Sequence, residues 1–391
     1  MEHRQVVVVG AGPAGLASAA ELQRNGIPAL VIERSDTIAS SWRARYDRLR
    51  LNSSRPFSKL PGARYTPGTG MFPSRYELVG YLERYARSNS LDVRFGTELE
   101  RIDREGGEWI LRTSSGDIRT EQVIVASGYA HTPYVPEWQG KGSFSGPIIH
   151  SHEYRNPDAF RGADVLVAGS GCSGMEIAYD LLEGGARRVR MAVRTSPNII
   201  IRAPLGPLFA RFVVKLSTER ADRIMRWVQR HEVGDLSEYG LPFPEEGIVS
   251  RLKRLGVAPS IVDKEVIEAI KARRIEIVAG ADSLDESGVE LADGSRIEPD
   301  AIIAATGYRT GLESVLGHLG VLNERGVPHA LGGAAAAPGL RFVGYIPRPA
   351  QIGKFGEEAK RATEEIAREI SPAFTPPVRR RRMPRVVQAN G

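Results

Sequence analysis

The chain of 391 residues is long enough for two or three domains that each bury a core of their own. Hydrophobic residues make up 41% of the chain and charged residues 26%, which is typical of a globular protein. The single cysteine, Cys172, excludes an internal disulfide, and the absence of a CxxC pair argues against a dithiol redox enzyme.

The formal net charge of +6 comes largely from the C-terminal end of the chain. Five arginines, Arg379 to Arg382 and Arg385, lie in a Pro-rich stretch beyond the last predicted helix. The rest of the chain is close to neutral. We therefore predict that residues 372–391 form a basic, solvated and disordered tail, and we expect no nucleic-acid partner.

The start of the chain predicts neither a secretion signal nor a membrane anchor. Met1–Gln5 runs directly into an apolar strand, and no apolar run approaches the length of a transmembrane helix. We expect a cytoplasmic protein in a reducing compartment, and the sequence leaves open a homodimer.

The first predicted unit is a dinucleotide-binding motif. Its strand, glycine loop, helix, second strand and acid follow in the order Val6–Val9, Gly10-x-Gly12-Pro13-Ala14-Gly15, Leu16–Gly26, Ala29–Ile32 and Glu33. In this fold, backbone N–H groups at the helix start hold a pyrophosphate, and the acid accepts hydrogen bonds from an adenosine ribose. Glycines that only turn the chain are the alternative, but that alternative explains neither Glu33 nor a second copy of the loop.

The segment that follows Glu33 is irregular and rich in Arg, Ser and Pro. It contains the short runs Glu33-Arg34, Ala39-Ser40-Ser41-Trp42, Tyr46-Asp47-Arg48-Leu49 and Asn52-Ser53-Ser54. In isolation, Asn52 is interpreted as a turn residue that makes its own local hydrogen bonds.

Further along, the sequence predicts an amphipathic helix after Phe72–Tyr76 and a strand hairpin with turns near Gly106-Gly107 and Ser114–Asp117. A strand then leads into Ala126-Ser127-Gly128-Tyr129. The same ending recurs later in the chain as Ala305-Thr306-Gly307-Tyr308, after another apolar strand. Two units that end alike indicate two dinucleotide-binding domains.

The second unit repeats the strand, the loop and the helix of the first. It consists of the run Phe144-x-Gly146-x-x-x-His150-x-x-x-Tyr154, the strand Val165–Ala168, the loop Gly169-Ser170-Gly171-Cys172-Ser173-Gly174, a helix from Met175 and the strand Arg187–Val193. Arg194, Thr195 and Ser196 stand where the first unit has Glu33. A carboxylate suits the free ribose hydroxyls of FAD, whereas an arginine beside two hydroxyls suits the 2′-phosphate of NADPH. A solvated surface arginine is the alternative.

Residues 204–260 break the alternation of strands and helices. Two apolar stripes predict helices there: Leu208, Phe209, Phe212, Val213 and Leu216, then Ile224, Met225, Trp227 and Val228. We interpret the segment as a helical insertion that covers the active site, and core packing is favoured for the stripes over a substrate wall or a membrane surface. The arginines along the stripes do not distinguish these alternatives.

The order of these motifs resembles the flavin-containing monooxygenases. In that family the run FxGxxxHxxx(F/Y) lies directly before the second nucleotide loop, as Phe144–Tyr154 does here. The runs around Trp42 and Tyr46 resemble most closely the plant YUCCA-type branch. The run that begins at Asn52 instead resembles the animal and microbial members, whose asparagine lies beside the reactive edge of the flavin, and Ala305–Gly307 resembles the family's ATG motif.

The resemblance implies an α/β fold with two Rossmann-like dinucleotide-binding domains, in which the NADPH domain is inserted into the FAD domain. The implied parts are an FAD-binding part at 1–160, an NADPH-binding domain at 161–294 with the helical insertion at about 204–260, and a second FAD-binding part at 295–371. A helix over Gly356–Ile370 is expected to point its N-terminus at the flavin.

The resemblance also implies the reaction and the site. NADPH reduces FAD, O2 adds to the reduced flavin as a peroxide, one oxygen atom passes to a small organic substrate, and the other leaves as water. Asn52 is the implied catalytic residue, through a hydrogen bond to the flavin peroxide. The implied cofactor-binding residues are Gly10, Gly12, Pro13, Ala14, Gly15, Glu33, Arg34, Trp42, Ala126, Gly128, Gly169, Ser170, Gly171, Ser173, Gly174, Arg194, Thr195, Thr306 and Gly307.

YUCCA-type enzymes oxidatively decarboxylate indole-3-pyruvate, so an aryl α-keto acid is the first expectation for the substrate, and soft nitrogen or sulfur nucleophiles are the second. Neither a catalytic Ser/His/Asp triad nor a metal cluster is visible, and His150 is interpreted as a structural residue of the linker.

Three other functions remain open at this stage. Baeyer–Villiger monooxygenases share the layout, but their fingerprint has tryptophan at the place of Tyr154. An NADPH-dependent flavin reductase would use the same cofactors. A non-catalytic NADPH-sensing protein would keep both glycine loops, and steady consumption of NADPH would exclude it.

Overall fold

The computed structural model of the protein describes residues 1–256, 258–346 and 351–371. The predicted basic tail at 372–391 lies outside the described residues. Within the described ranges, no helix combines the length and the apolar character that crossing a bilayer requires.

The elements up to the second glycine loop are β1 (Glu2–Val9), α1 (Pro13–Arg24), β2 (Ala29–Ile32), α2 (Ser40–Arg43), α3 (Arg75–Ser88), β3 (Asp92–Arg94), β4 (Leu99–Glu105), β5 (Glu108–Thr113), β6 (Ile118–Val125), β7 (Thr132–Pro133), β8 (Ile148–His150) and β9 (Asp164–Ala168). The elements of the middle part are α4 (Cys172–Glu183), β10 (Arg188–Val193), β11 (Ile199–Ile201), α5 (Gly206–Val213), α6 (Thr218–Glu232), α7 (Ile248–Leu255), β12 (Ser260–Val262), α8 (Lys264–Lys271), β13 (Ile275–Ala279), β14 (Ala281–Leu284), β15 (Val289–Leu291), β16 (Arg296–Ile297) and β17 (Ala301–Ala304). The last elements are β18 (Tyr308–Arg309), α9 (Glu313–Leu316), β19 (Ala335–Ala337), β20 (Leu340–Phe342) and α10 (Gln351–Ile370).

The first sheet has eight strands, and its main path runs in the order β19, β20, β6, β1, β2, β3. β1 pairs in parallel with β2 and with β6, so that Val9 lies between Ile32 and Val125. Because the carboxyl ends of parallel strands meet at one edge, the glycine loop after β1 and Glu33 after β2 leave the sheet side by side. β4 and β5 form the predicted hairpin.

Helix α1 is buried along most of its length, from Pro13 to Leu22. It packs against the first sheet together with α3 and α10, and the apolar faces of the three helices form the largest core cluster. The small residues at the start of α1 allow this close packing. The observed α10 begins at Gln351, five residues before the predicted start, and both ends agree at Ile370.

The second sheet has five parallel strands in the order β13, β10, β9, β17, β8. Ala168 at the end of β9 lies between Ala192 and Ala304, so the second glycine loop leaves its sheet as the first one does. Helices α4 and α8 cover one face, and the antiparallel strands β14 to β16 cover the other. β8 and β17 belong to this sheet, although the predicted division at residues 160 and 295 assigned their residues to the FAD-binding parts. The two sheets with their glycine loops confirm the predicted α/β class.

The helical segment between β11 and β12 has a small core of its own, which contains Val213, Met225 and Val249. Core packing was the favoured prediction for its first apolar stripe, and that prediction is wrong for most of the stripe. The exposed members are Leu208, Phe209, Phe212 and Leu216. A helical period shows which residues share a face, but it does not show whether another element covers that face.

Candidate functional site

The first glycine loop contains glycines that the backbone itself requires. A Cβ atom at Gly15 would lie 1.8 Å from the carbonyl oxygen of Gly10. Gly10 has a φ of +103°, and a Cβ atom there would lie 2.9 Å from the carbonyl oxygen of Ala126. The helix start, the loop and the end of β6 therefore pack together through backbone atoms, and any larger residue at these glycines would separate them.

Gly12 differs from its two neighbours because a Cβ atom there would meet nothing within 4 Å. Gly12 is the N-cap of α1, and no side chain caps the helix. The following residue is Pro13, which lacks an N–H and suits the first helical position. Uncapped N–H groups at a helix N-terminus, beside open space, match the needs of a pyrophosphate, so this loop fits the first dinucleotide.

Glu33 is buried at the end of β2, where the loop and the sheet position its carboxylate. Its Oε2 atom accepts a hydrogen bond from the Ala11 N–H at 2.8 Å. Its Oε1 atom accepts from Ser35 N at 3.1 Å, Ser35 Oγ at 2.9 Å and Ser40 Oγ at 3.2 Å. Since a carboxylate oxygen has two lone pairs, Oε2 retains acceptor capacity for a ribose hydroxyl.

The other residues predicted around the first loop lie near the same edge of the sheet or follow it in the chain. Arg34 is exposed, and Trp42 on α2 packs against the core that surrounds α1. Ala126 contacts the glycine loop through its carbonyl group, and Gly128 has a φ of +89° with open space at its Cβ position. A positive φ and open space at the Cβ position are the properties expected of a glycine that faces a ligand.

The second glycine loop repeats the geometry of the first. A Cβ atom at Gly174 would lie 2.0 Å from the carbonyl oxygen of Gly169, and one at Gly169 would lie 2.5 Å from that of Ala305. Gly171 again faces open space at the N-terminus of a helix without a side-chain cap. The carbonyl oxygen of Ser170 accepts a hydrogen bond from Ser260 Oγ at 2.9 Å, which connects the loop to β12. This loop therefore fits a second dinucleotide.

Arg194 and Thr195 follow β10 at the position equivalent to Glu33, and both are exposed. Within the described part of the chain, the Arg194 guanidinium forms no ion pair with a carboxylate. Gly280 comes close to its stem, because a Cβ atom there would lie 3.1 Å from the Arg194 Cβ. An exposed arginine without a carboxylate partner is available to a phosphate.

The fingerprint run between the two units has a structural role at each of its polar positions. His150 is buried, its Nδ1 atom accepts from the His152 N–H at 3.0 Å, and its Nε2 atom therefore donates to the Gly307 carbonyl oxygen at 3.0 Å. Burial lowers the pKa of His150, which favours the neutral ring. Tyr154 donates to Asp180 Oδ2 at 2.8 Å. The geometry agrees with the interpretation of His150 as a structural residue of the linker.

Thr306, the middle residue of the run that resembles the ATG motif, donates from Oγ1 to the Tyr134 carbonyl oxygen at 2.5 Å. Gly307 has a φ of +92° with open space at its Cβ position. Together with the His150 hydrogen bond, these contacts fix the backbone between β17 and β18, the strand that pairs with β7.

Asn52 lies against the second unit, although it belongs to the segment that follows the first glycine loop. Its Nδ2 atom donates to Cys172 Sγ at 3.4 Å, and its Oδ1 atom accepts from Arg202 Nη2 at 3.2 Å. Cys172 is the first residue of α4, and Arg202 directly follows β11. The side chain of Asn52 thus joins the first unit to the second glycine loop and to the start of the helical insertion.

Arg202 is the centre of this buried cluster, and its side chain is only 2% exposed. It donates to Glu176 Oε1 and to Asp263 Oδ2, the latter at 3.1 Å. Tyr46 donates to the other oxygen of Glu176 at 2.6 Å. Arg202 Nε is buried and has no hydrogen-bond partner within the described residues. A guanidinium in such a network is oriented by several partners at once.

Burial sets the protonation of this cluster. Burial raises the pKa of Glu176, and the charge of Arg202 together with the Tyr46 hydroxyl offsets part of this rise. Burial also raises the pKa of the Cys172 thiol, so Cys172 is present as a thiol that accepts and donates weak hydrogen bonds rather than as a thiolate nucleophile. The cluster can therefore orient groups, but it contains no evident proton donor for a substrate.

The sequence interpretation missed Arg202, Glu176 and Tyr46. One local signal was present, because Arg202 directly follows the three isoleucines of β11 and Glu176 lies between apolar residues on α4. A charge inside an apolar run often has a buried partner. Nothing in the spacing identified the partner, since Arg202 and Glu176 are 26 positions apart.

Comparisons with known proteins agree with this geometry. The profile of the family described as "Pyridine nucleotide-disulphide oxidoreductase" matches residues 7–223. Indole-3-pyruvate monooxygenase YUCCA1 of Oryza sativa subsp. japonica is 35% identical over 329 residues, which cover 82% of this chain and 80% of that protein.

Solved structures share the fold over nearly the whole chain. A mutant of the flavin monooxygenase from Stenotrophomonas maltophilia aligns with a TM-score of 0.75 and 24% identity, and the alignment covers 95% of this chain and 100% of that one. Cyclohexanone monooxygenase with bound ε-caprolactone aligns with a TM-score of 0.73 and 16% identity, over 95% of this chain and 89% of that one. The identity with the YUCCA1 relative shows that the chain belongs to the flavin-containing monooxygenase family and is similar to its YUCCA branch, so that it is a flavin-dependent oxidoreductase that uses FAD, NADPH and O2.

Proposed function

We propose that this monooxygenase transfers one oxygen atom to a small carbonyl substrate, an aryl α-keto acid, at the junction where Asn52 meets the second glycine loop. The observation that carries the proposal is the position of Asn52, which contacts Cys172 of that loop and Arg202 of the insertion. A residue of the first unit is thereby held where the two dinucleotides must approach each other if one is to reduce the other.

Each glycine loop, with the residues beside it, holds one of the two cofactors. The N–H groups around Gly12 take the FAD pyrophosphate, and Glu33 Oε2 takes the adenosine ribose. The N–H groups around Gly171 take the NADPH pyrophosphate, and Arg194 with Thr195 takes the 2′-phosphate. When bound and reduced by NADPH, FAD supplies the activation of O2, so that one oxygen atom enters the substrate and the other leaves as water.

Asn52 supplies a fixed hydrogen-bond donor. Arg202 has donors only, so the Asn52 oxygen must face Arg202 and the Asn52 amide nitrogen must point away from it. One N–H of that nitrogen is directed to Cys172 Sγ. The second N–H has no acceptor within the described residues and is available to the reacting oxygen. A donor that is oriented beforehand costs no reorganisation during the reaction.

The second N–H of Asn52 favours a substrate that carries acceptor oxygens. A thioether or an amine offers no comparable acceptor. The name of the YUCCA1 relative, an indole-3-pyruvate monooxygenase, points to the same class. In that reaction an α-keto acid, O2, NADPH and a proton give the shortened acid, CO2, water and NADP+.

We further propose an FAD-binding domain formed by residues 1–160 and 295–371 without β8 and β17, and an NADPH-binding domain formed by residues 161–294, with the insertion at about 204–260, together with those two strands. The hydrogen bonding of β8 and β17 moves those two strands to the NADPH-binding side. Because the insertion has only a small core, limited proteolysis should cut the chain there first.

The test is a turnover assay of the FAD-loaded enzyme with NADPH and O2, in which indole-3-pyruvate, phenylpyruvate, a cyclic ketone, a thioether and a tertiary amine are offered separately. We expect stoichiometric NADPH oxidation and CO2 release with the α-keto acids. Ring-expanded lactone from the ketone would indicate a Baeyer–Villiger enzyme, and oxidised thioether or amine would indicate the second substrate class. Hydrogen peroxide as the sole product with every compound would indicate a flavin reductase.

A further inference from the structure

The exposed apolar side chains of this protein are concentrated in one segment. Of the thirteen large hydrophobic residues that are exposed within the described ranges, seven lie between Leu205 and Trp227. Phe212 is 63% exposed, and Trp227 is 66% exposed. Contiguous apolar exposure of this kind marks an interaction surface, because scattered single residues would be distributed over the whole molecule.

Helix α5 has almost no partner within the fold. Only Pro207 and Val213 of its eight residues are buried. Phe209 and Phe212 project outward, and Leu205 and Leu216 are exposed just before and just after the helix. The whole element therefore stands on the surface as an apolar ridge.

The same segment carries basic side chains that, within the described residues, have no carboxylate within ion-pair distance. Between Leu205 and Arg230 the sequence has six basic residues and two acidic ones. Within the described part of the chain, none of the six basic residues forms an ion pair. Arg220, Arg223 and Arg230 share the outer face of α6 with Trp227, at spacings of three and four residues. One of the two acids, Asp222, is occupied at the start of α7, where it accepts from Val249 N at 2.6 Å.

We propose that the exposed side chains from Leu205 to Arg230, here called the insertion surface, bind the interface of a bilayer that contains anionic lipids. The apolar ridge of α5 enters the boundary between headgroups and acyl chains, and the basic face of α6 contacts the anionic headgroups. Aromatic residues beside unpaired arginines are the combination that this interface favours.

A second copy of the chain suits the insertion surface less well. A symmetric dimer brings the same patch of both subunits together, so the unpaired cations of α6 would face their own counterparts without carboxylates between them. An anionic lipid surface instead supplies the missing negative charge. This argument from charge is independent of the proposed substrate.

The insertion surface adjoins the candidate site. Ser54, two positions after Asn52, donates from Oγ to the carbonyl oxygen of Pro204 at 2.6 Å, and Leu205 is the next residue. Docking through the insertion surface would set the junction of the two units beside the bilayer, where apolar compounds are concentrated.

Co-sedimentation of the full-length, FAD-loaded protein with vesicles tests the proposal. The vesicles consist of phosphatidylcholine alone or of phosphatidylcholine mixed with phosphatidylglycerol, at low and at physiological salt. We expect binding to the anionic vesicles that weakens with salt, together with a blue shift of tryptophan fluorescence that is lost in Trp227→Phe. Absence of binding to anionic vesicles would overturn the proposal.

Paired variants identify the contact. Phe209→Ser with Phe212→Ser should lower the vesicle partition coefficient about tenfold or more, because two exposed aromatic rings no longer enter the interface. Arg220→Glu with Arg223→Glu should lower it at least about twentyfold for the two positive charges that are lost, given a factor of about five per charge near the surface. Phe95→Ser and Arg325→Glu, which change exposed residues elsewhere, serve as matched controls and should have little effect.

Two results would assign the binding to something else. Full vesicle binding by the Phe209/Phe212 variant, combined with loss of binding on truncation from Thr375, would identify the basic tail as the lipid contact and overturn the proposal. A change from dimer to monomer in the same variant, measured by light scattering in the absence of lipid binding, would identify a second copy as the occupant and overturn it as well.

Discussion

The two glycine loops have the same backbone geometry and different chemistry around it. In each loop the last glycine lies against the carbonyl group of the first, and the middle glycine faces open space at a helix N-terminus. The first loop starts its helix with Pro13 and stands beside the buried Glu33. The second starts its helix with Cys172, which contacts Asn52, and stands beside the exposed Arg194. Loop geometry thus serves any dinucleotide, whereas the surrounding side chains select the dinucleotide and join the loop to the reaction.

The largest expected effect separates glycines that the fold requires from glycines that a ligand requires. Gly15→Ala should destabilise the first unit by about 3 kcal/mol or more, with or without FAD, because the new Cβ atom would lie 1.8 Å from a backbone oxygen. Gly12→Ala should leave the stability of the FAD-free protein unchanged and should weaken FAD binding. Thermal melting before and after removal of FAD measures both variants.

The second loop supplies the matched pair for this experiment. Gly174→Ala should destabilise the protein in the same way, and Gly171→Ala should weaken NADPH without loss of stability in its absence. Equal destabilisation by all four alanines would show that the middle glycines also serve the fold, and the distinction between the two kinds of glycine would fail.

Arg194→Ala tests the difference in charge between the loops. The variant should bind NADPH about ten- to hundredfold more weakly, since a charge-assisted hydrogen bond contributes about 1.5–3 kcal/mol, and NADH binding should change little. Titration of the FAD-loaded protein with each coenzyme measures the ratio, and Arg325→Ala is the control for a general loss of positive charge. Equal weakening of both coenzymes would make Arg194 a structural residue.

The contact of the second loop with Asn52 predicts a smaller effect. The effect concerns how turnover divides between substrate oxygenation and release of hydrogen peroxide. Asn52→Ala should raise the ratio of hydrogen peroxide formation to substrate oxygenation about two- to tenfold, because one neutral hydrogen bond contributes about 0.5–1.5 kcal/mol. Reduction of FAD by NADPH should change less. Peroxide released per NADPH consumed, measured with a saturating substrate, gives the ratio.

Arg202→Lys shows whether Arg202 acts through Asn52. Lysine keeps the positive charge opposite Glu176, but it cannot reach three partners at once. If Arg202 orients Asn52, the double variant with Asn52→Ala should release no more peroxide than Asn52→Ala alone, and the two effects should not add. Additive effects would mean that Arg202 influences turnover by a separate route.

The smallest expected effect concerns Cys172. Cys172→Ser keeps a donor and an acceptor at the position and should change peroxide release by less than about twofold. Cys172→Val removes the acceptor for Asn52 Nδ2 and for the Ile261 N–H, which contact Sγ at 3.4 Å and 3.3 Å, and should have the larger effect. Equal behaviour of Ser and Val would separate Cys172 from the function of Asn52.

The parts of this site that the sequence predicted are those that local spacing determines. Both glycine loops and Glu33 follow from contacts within one strand, turn and helix, and the cofactor class follows from them. The Arg202–Glu176 pair could not be predicted, because it depends on how β12, the partner strand of β11, packs against α4. The surface position of Phe209 and Phe212 was also missed, since the period of an apolar stripe is the same whether or not another element covers it.

The most direct test of the central claim is turnover of the FAD-loaded protein with isotopically labelled O2 and indole-3-pyruvate, with mass spectrometry of the product. Catalase is present, because free hydrogen peroxide would itself decarboxylate the α-keto acid. We predict one labelled oxygen atom in the shortened acid, about one product per NADPH, and a lower yield of product per NADPH in Asn52→Ala. Unlabelled product, or complete conversion of NADPH electrons to hydrogen peroxide in the wild type with each of the substrates named above, would contradict it.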